Sequence, residues 1–466
     1  MELDQETIAQ IDDLFHARSV AIIGAPRGLK TGSVFLTALL DQGFSGNIYP
    51  VNPQAEEISG LKAYPSVSAI PAAVDLAIVL VPHHHSLSVL RECAAKGIKG
   101  AVLFTAGYKE TGTAEGRALE EELVRVARGA RMRLVGPNGM GLYSPETGLS
   151  FFPRVSREPG PVGIISHSGS LTNIMGMIAA EKGIRFSKVI SSGNDCDLTA
   201  ADFLAYLGHD PATKIIGAYI EGIKNGPRFI KALKQAALEK PVIIWKVGLT
   251  PEGSQASASH TGALAGSRKI WKSLERQTGV IPVVGFDALM DALMGFSLLP
   301  INVGARIAII SGPGGLAVST AEACGEEGLI LARLAENTRS RLAEFIPATG
   351  TSLRNPIDVS LSAHFDLNIF KESARAAAAD PGVDALVIIG CGMTAEDNRI
   401  FVGHMIQVQK EFQKPLMIVK IPGFDPKLGR HFCEAGIPFF DTAERAMQTY
   451  ALQYRYQQWR QQHTPQ

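Results

Sequence analysis

The sequence predicts an α/β protein made of three consecutive doubly wound parallel-sheet domains. Three observations lead there. The 466 residues exceed what one hydrophobic core serves, and at ~150 residues per domain they suggest about three. Three segments look alike: "SVAIIGAPRG" from Ser19, "PVGIISHSGS" from Pro161 and "RIAIISGPGG" from Arg306. Each is a β-branched run that ends in a glycine-rich turn and opens a helical pattern, and their starts are 142 and 145 residues apart, about one α/β domain. Lastly, continuous Val/Ile/Leu strands alternate with helical stretches, as in parallel sheets covered on both faces.

The elements follow this repeat. In the first block, strand ends are expected at "YPVNP" (49–53), "VDLAIVLVP" (74–82), "AVLFTAGY" and "RLVGPNGMG". Between the second and third blocks the similarity is closer. "DPATKIIGAYIEG" (210–222) aligns with "DPGVDALVIIGCG" (380–392), "KPVIIWK" with "KPLMIVK", and "GVIPVVGFDALMDA" with "GIPFFDTAERAMQT". "SREPGPVG" and "LLPINVGAR" supply Pro/Gly punctuation, giving Rossmann-like or flavodoxin-like domains at 1–158, 159–300 and 301–466. In such folds ligands bind beyond the carboxyl ends of the strands, where the three glycine turns lie.

Composition narrows the function classes. Lys+Arg and Asp+Glu both number 45, so no charge imbalance favours nucleic acid or an anionic membrane. The five cysteines are scattered without a CxxC pair, which argues against a disulfide framework or a zinc site. The acidic N-terminus is wrong for a signal peptide, and no apolar run reaches ~18 residues. A soluble cytoplasmic protein is expected.

The candidate sites sit at the glycine turns. "GAPRGLKTGS" (24–33) misses the P-loop because Leu29 stands where glycine is required, and it lacks GxGxxG spacing. What remains is a glycine-rich strand-to-helix turn with Arg27 and Lys30, suited to a diphosphate at a helix start, or only a tight turn. "HHH" (83–85) is expected as a solvated loop, since adjacent histidines cannot all face one ion. "GPGGLA" (312–317) matches G-x-G-x-x-A, but no clear strand leads to the acid Glu336, so a packing turn is expected. "ISHSGSLT" is not a nucleophile elbow. Ser168, Gly169 and Ser170 offer a helix start that serves as an N-cap, a phosphate seat, or both.

His260 stands apart, in a run of small residues, "SASHTGALAG", read as a mobile loop. A nucleophilic histidine needs access and a carboxylate that holds one tautomer. Glu221, at a strand end of the same block, is the candidate carboxylate. In the third block Cys391 falls opposite Glu221, and His260 has no counterpart, so neither residue is required by the shared fold. His16, His209, His364, His404, His431 and His463 lack such a setting and read as ordinary surface or core residues.

Together these stretches resemble the NDP-forming acyl-CoA synthetase superfamily, above all the α subunits of ADP-forming acetyl-CoA synthetases, with succinyl-CoA synthetases in the same superfamily. Block one is similar to the CoA-binding domain through "SVAIIGAP", "GNIYPVNP", "VDLAIVLVP" and "RLVGPN". Block two resembles the ligase domain through "GIISHSGSLT", "SSGN", "YIEGIKNG" and "SHTGALAGS". Block three resembles the further flavodoxin-like domain through "ISGPGG", "NPIDV" and "GIPFFDTAERAM".

The resemblance implies that His260 is transiently phosphorylated, that Glu221 orients it, and that Ser168, Gly169 and Ser170 hold phosphate. It implies a CoA site formed by Gly24, Ala25, Pro26, Arg27, Val51, Asn52, Pro53, Val81, Pro82, Phe104, Thr105 and Ala106. Acyl-CoA and inorganic phosphate would be substrates. ADP or ATP with Mg2+ would sit on a separate ATP-grasp β subunit, giving a hetero-oligomer, and no metal is expected on this chain. Two positions depart from the pattern. His167 replaces the usual glutamine or arginine, and Asn173 stands where succinyl-CoA synthetases carry tyrosine, which leaves the acid unspecified. The alternative reading is a CoA-binding regulatory or scaffold protein without turnover.

Overall fold

The computed structural model describes residues 5–28, 30–261, 266–300, 304–421 and 427–463, without the side chains of residues 258–261. The first strands are β1 (Ser19–Ile23), β2 (Asn47–Val51), the short hairpin β3 (Glu57–Ile58) and β4 (Leu61–Lys62), β5 (Leu76–Val79), β6 (Gly100–Leu103) and β7 (Arg133–Val135). All but the hairpin form a parallel sheet in the order β2-β1-β5-β6-β7. β1, β5 and β6 are buried along their whole length, as apolar strands covered on both faces must be.

The second sheet uses β8 (Gly141–Tyr143), β9 (Val162–Ser166), β10 (Phe186–Ser191), β11 (Ile215–Ile220), β12 (Val242–Lys246) and β13 (Ile281–Val283), in the order β13-β12-β11-β9-β10-β8. The third uses β14 (Arg306–Ser311), β15 (Ile330–Leu331), β16 (Ile357–Asp358), β17 (Ala385–Ile389), β18 (Leu416–Val419) and β19 (Phe439–Phe440), in the order β15-β14-β17-β18-β19, with β16 beside the end of β14.

Numbered within each sheet, the five main parallel strands run 2-1-3-4-5 all three times. This is the flavodoxin-like winding, and its direction reverses beside the first strand. That switch point falls between β1 and β5, between β9 and β11, and between β14 and β17. Each glycine turn follows the first strand of its sheet, so the sequence repeat delivers all three turns to a switch point.

The three sheets occupy two compact units: residues 1–180 with 185–284, and residues 181–184 with 285–466. The expected segments 1–158 and 159–300 thus share one unit. β8, expected with the first block, pairs antiparallel with β10 of the second sheet. Asp197, just after β10, accepts hydrogen bonds from Arg133 Nε (2.9 Å) and from the Leu134 N–H (3.0 Å) on β7.

The helix Phe286–Leu298 belongs to the second unit instead of the second sequence block. It packs on the long helix Ala443–His463. Its buried Asp291 is paired with Lys182 (3.0 Å) and Arg445, as a buried carboxylate must be. No helix among the described residues is long and apolar enough to cross a membrane.

Candidate functional site

At the first switch point, four strand ends are tied into one crevice. The Gly24 N–H donates to Val51 O (2.9 Å), and Asn52 Nδ2 donates to Ala25 O (2.8 Å). The hydroxyl of Thr105 donates to Val81 O (2.7 Å). Gly24 has φ +82, and a Cβ there would stand 3.0 Å from Val81 Cγ1. Only glycine fits this turn without strain, which brings the ends of β1 and β5 close together. Arg27 is exposed and reaches Gln54 Oε1 at 3.5 Å. Every residue expected for CoA lies on these ends, with Pro53, Pro82, Phe104 and Ala106 beside their bonded neighbours. Leu29 lies outside the described residues. The histidines of "HHH" are exposed but open the helix His83–Lys96, so they are helical rather than a loop. Pro82 ends the strand run and serves as their N-cap, which sets the helix start.

The second switch point carries the residues expected to seat phosphate. Ser168 is the N-cap of the helix Gly169–Ala179, and its hydroxyl accepts the Leu171 N–H at 3.4 Å. Ser166 Oγ donates to Ser168 O (3.0 Å) and fixes the turn from below. Gly169 and Ser170 occupy the first turn of that helix, where its dipole favours an anion.

Glu221, 3 % exposed, follows β11 directly across the switch point from His167, which follows β9. The Glu221 N–H donates to His167 Nδ1 at 3.1 Å, and Lys246 Nζ donates to Glu221 O at 2.8 Å. His167 Nε2 stands 3.2 Å from Asp195 Oδ2. The alignment is poor: neither Nε2 nor Asp195 Oδ1 has a hydrogen-bond partner among the described residues. Burial pushes the Asp195 carboxyl up, but the neighbouring imidazole and its other hydrogen bonds outweigh this and hold it below the usual carboxylate range. Burial brings the Lys246 ammonium down to about 8, with the Glu221 charge opposing. The Tyr219 hydroxyl is pushed well up, by burial first and then by Glu221.

The backbone of His260 lies in a helix, Pro251–Thr261, and not in a loop. Its small residues include two alanines, which cost little in a helix, and proline at the first position is pre-set for one. This helix packs on the turn Lys109–Thr111. A Cβ at Gly248 would stand 3.1 Å from Ser257 Oγ and 3.4 Å from Glu221 O, so the helix enters beside Glu221 one turn before His260. The His260 side chain and residues 262–265 lie outside the described residues.

Asn173 sits one turn into the helix Gly169–Ala179, against Tyr143, Phe151 and Phe186 on the flank of the sheet. Its Oδ1 is buried without a hydrogen-bond partner among the described residues. At the third switch point a Cβ on Gly314 would meet Asp358 Oδ2 at 2.6 Å, the close packing expected of "GPGGLA". Glu336 opens a helix and pairs with Arg339. Among the described residues there is no group of three or more His, Cys, Asp or Glu able to hold a metal ion.

Sequence reasoning gave no role to Asp195 or Lys246 and treated His167 only as a departure. It also missed how "GPNGMG" interlocks with "SSGND". A Cβ on Gly193 would meet Pro137 O at 2.2 Å, and one on Gly139 would meet Ser191 O at 2.6 Å.

Two repeats of one winding, one with a crevice between four tied strand ends and one with a serine-capped helix start beside a buried carboxylate, accompany matches to known proteins that define the class, an acid–CoA ligase chain. Two family models match in succession, a CoA binding domain over residues 18–145 and a succinyl-CoA ligase like flavodoxin domain over 159–296. The chain is 37% identical over 451 residues to the acetate–CoA ligase [ADP-forming] II subunit alpha of Pyrococcus furiosus, covering 95% of this chain and 97% of the relative. It is 38% identical over 381 residues to acetate–CoA ligase [ADP-forming] I of Archaeoglobus fulgidus, covering 81% of this chain and 54% of that longer one. A solved acetyl-coenzyme A synthetase 1 of Ca. Korarchaeum cryptofilum, in complex with phosphate and ADP, superposes with a TM-score of 0.85 at 33% identity, covering 95% of this chain and 96% of that one. The chain belongs to the ADP-forming acyl-CoA ligase family, and the Pyrococcus furiosus relative of similar size is an α subunit.

Proposed function

We propose that this chain is the CoA-binding, phosphohistidine-bearing α subunit of an ADP-forming acid–CoA ligase. The observation that carries the reading is the convergence at the second switch point. A serine-capped helix start, a buried carboxylate and the helix bearing His260 all meet there. In the reaction, inorganic phosphate attacks the thioester carbonyl, the C–S bond breaks, and CoA leaves with a proton. The imidazole of His260 then attacks the phosphorus of the acyl phosphate, the P–O bond to the acyl group breaks, and the free acid departs. The phosphoryl group finally passes to a nucleoside diphosphate.

The chain's own residues account for the first two steps. The ends of β1, β2, β5 and β6 hold CoA through Gly24 to Arg27, Val51 to Pro53, Val81 to Pro82 and Phe104 to Ala106. Ser168 to Ser170 present N–H donors and a helix dipole to phosphate, which stabilises charge where it develops. Glu221 holds the imidazole in the tautomer whose free nitrogen attacks. The diphosphate and its Mg2+ belong to an ATP-grasp β subunit, so complete turnover requires a hetero-oligomer. Mixing the purified chain with an ATP-grasp partner, ADP, phosphate and acetyl-CoA should yield ATP. ATP formation by this chain without a partner would overturn the division of labour.

A further inference from the structure

The parallel ladder stops at Ile220, so the main chain of Glu221 has no strand partner, yet both its polar groups are held. The N–H donates to His167 Nδ1 (3.1 Å) from the end of β9, and the carbonyl accepts from Lys246 Nζ (2.8 Å) at the end of β12. These are the two strands that flank β11. Lys246 also donates to Val247 O, at the start of the segment leading to His260. An imidazole that accepts at Nδ1 carries its proton on Nε2, the nitrogen facing Asp195.

The third sheet has the same winding with a different arrangement. Gly312 stands at the place of His167 and Cys391 at that of Glu221; the Cys391 carbonyl is bonded to Nδ1 of His364 (2.7 Å), a residue from another segment, and Lys420 reaches Asp441 Oδ1 at 3.5 Å. The fold therefore does not require the two side-chain bonds.

We propose that His167 and Lys246 are positioning residues that clamp the main chain of Glu221, and that the rate of His260 phosphorylation depends on both bonds. The inference rests on the reading of Glu221 given above. His167 holds the Glu221 N–H only through a ring nitrogen that accepts. Loss of the Lys246 charge weakens a charge-assisted bond and loosens it on the alkaline side. The charged group facing His167 is Asp195, which is near Lys109, itself beside Glu120 and Lys224. Glu221 is the charged group beside Lys246, and the Tyr219 hydroxyl lies against Glu221 from β11.

The test measures the initial rate of acid-labile labelling of the full chain by acetyl-CoA and radiolabelled phosphate, from about pH 5.5 to 9. Thermal melts are run in parallel. His167→Gln retains an acceptor, so its rate at neutral pH should stay within about threefold of wild type. His167→Leu and Lys246→Met should label at least about tenfold more slowly. Lys246→Arg should lose the alkaline fall.

Wild-type rates and pH profiles in folded His167→Leu and Lys246→Met would overturn the clamp. If those variants do not fold, an alkaline fall that persists in Lys246→Arg overturns it. Glu221→Gln separates the two levels. Undiminished labelling there would overturn the underlying reading, whereas a slowed Glu221→Gln beside unaffected clamp variants would overturn the clamp alone.

Discussion

Asp197→Asn should loosen the joint between the first two sheets. The carboxylate has no exposed side-chain surface, and its partner Arg133 is 15% exposed, so solvent screens the pair little. Arg133 Nε (2.9 Å) and Nη2 (3.3 Å), Arg128 Nε (3.0 Å) and the Leu134 N–H (3.0 Å) all donate to it. Arg133 also reaches Gln10 Oε1 at 2.8 Å, which ties in the helix Gln5–Phe15. Arg128 is largely exposed and adds little.

Breaking a buried pair by neutralising one partner costs about 3–5 kcal/mol. Asparagine keeps one acceptor for the Leu134 N–H, so the low end, about 3 kcal/mol, applies. At ~2–4 °C per kcal/mol for a unit of this size, Tm should fall by about 6–12 °C at pH 7. The pH dependence has a definite sign. Burial raises the Asp197 carboxyl, but its bonds to Arg133, Leu134 and Arg128 outweigh this and hold it below its ordinary value of 3.8. A depressed carboxyl stabilises fully above the unfolded value and loses that stabilisation as pH falls through the folded one. The gap between wild type and variant should therefore be complete at pH 7 and close below about pH 4. Thermal melts by circular dichroism read both. A Tm within about 1 °C of wild type at pH 7, or a gap that persists in strong acid, would refute the reasoning.

Two further substitutions address the CoA crevice. Gly24→Ala forces a β-carbon into an unfavourable φ and against Val81, so it should cost about 1–3 kcal/mol of stability and weaken CoA binding by calorimetry. An unchanged CoA affinity would remove that turn from the site. Arg27→Ala should weaken CoA about tenfold while leaving the acid-labile labelling of His260 by acetyl phosphate intact, since the bond it loses is one charge-assisted contact. Loss of labelling with CoA binding preserved would place Arg27 at the wrong step.

Much of this was legible in the sequence because the three blocks share one winding. The "SVAII", "VGIIS" and "RIAIIS" strands each fixed a switch point, and the turn after each strand had to lie there. Glu221 stood out for the same reason: its counterpart is Cys391, and a residue the fold does not require must be explained otherwise. The same comparison concealed Lys246. Both copies carry a lysine at that place, yet one holds a main-chain carbonyl and the other reaches a carboxylate.

His167 was visible as an odd residue, but its partner is a main-chain N–H, which no side-chain pattern announces. The helix through His260 was misread as a loop because small residues tolerate either state, and only tertiary packing decides between them. The placement of β8 and of the helix Phe286–Leu298 was likewise hidden. Both depend on long-range contacts that local punctuation does not encode.

The most direct test of the central claim is acid-labile, base-stable phosphorylation of the purified chain. Wild type and His260→Ala would be incubated side by side with labelled phosphate and acetyl-CoA, with a branched-chain and an aryl acyl-CoA in parallel. Label on wild type and none on His260→Ala is the predicted result. Label that persists on His260→Ala, or a wild-type chain that binds CoA and takes no label from any of the three, would contradict it.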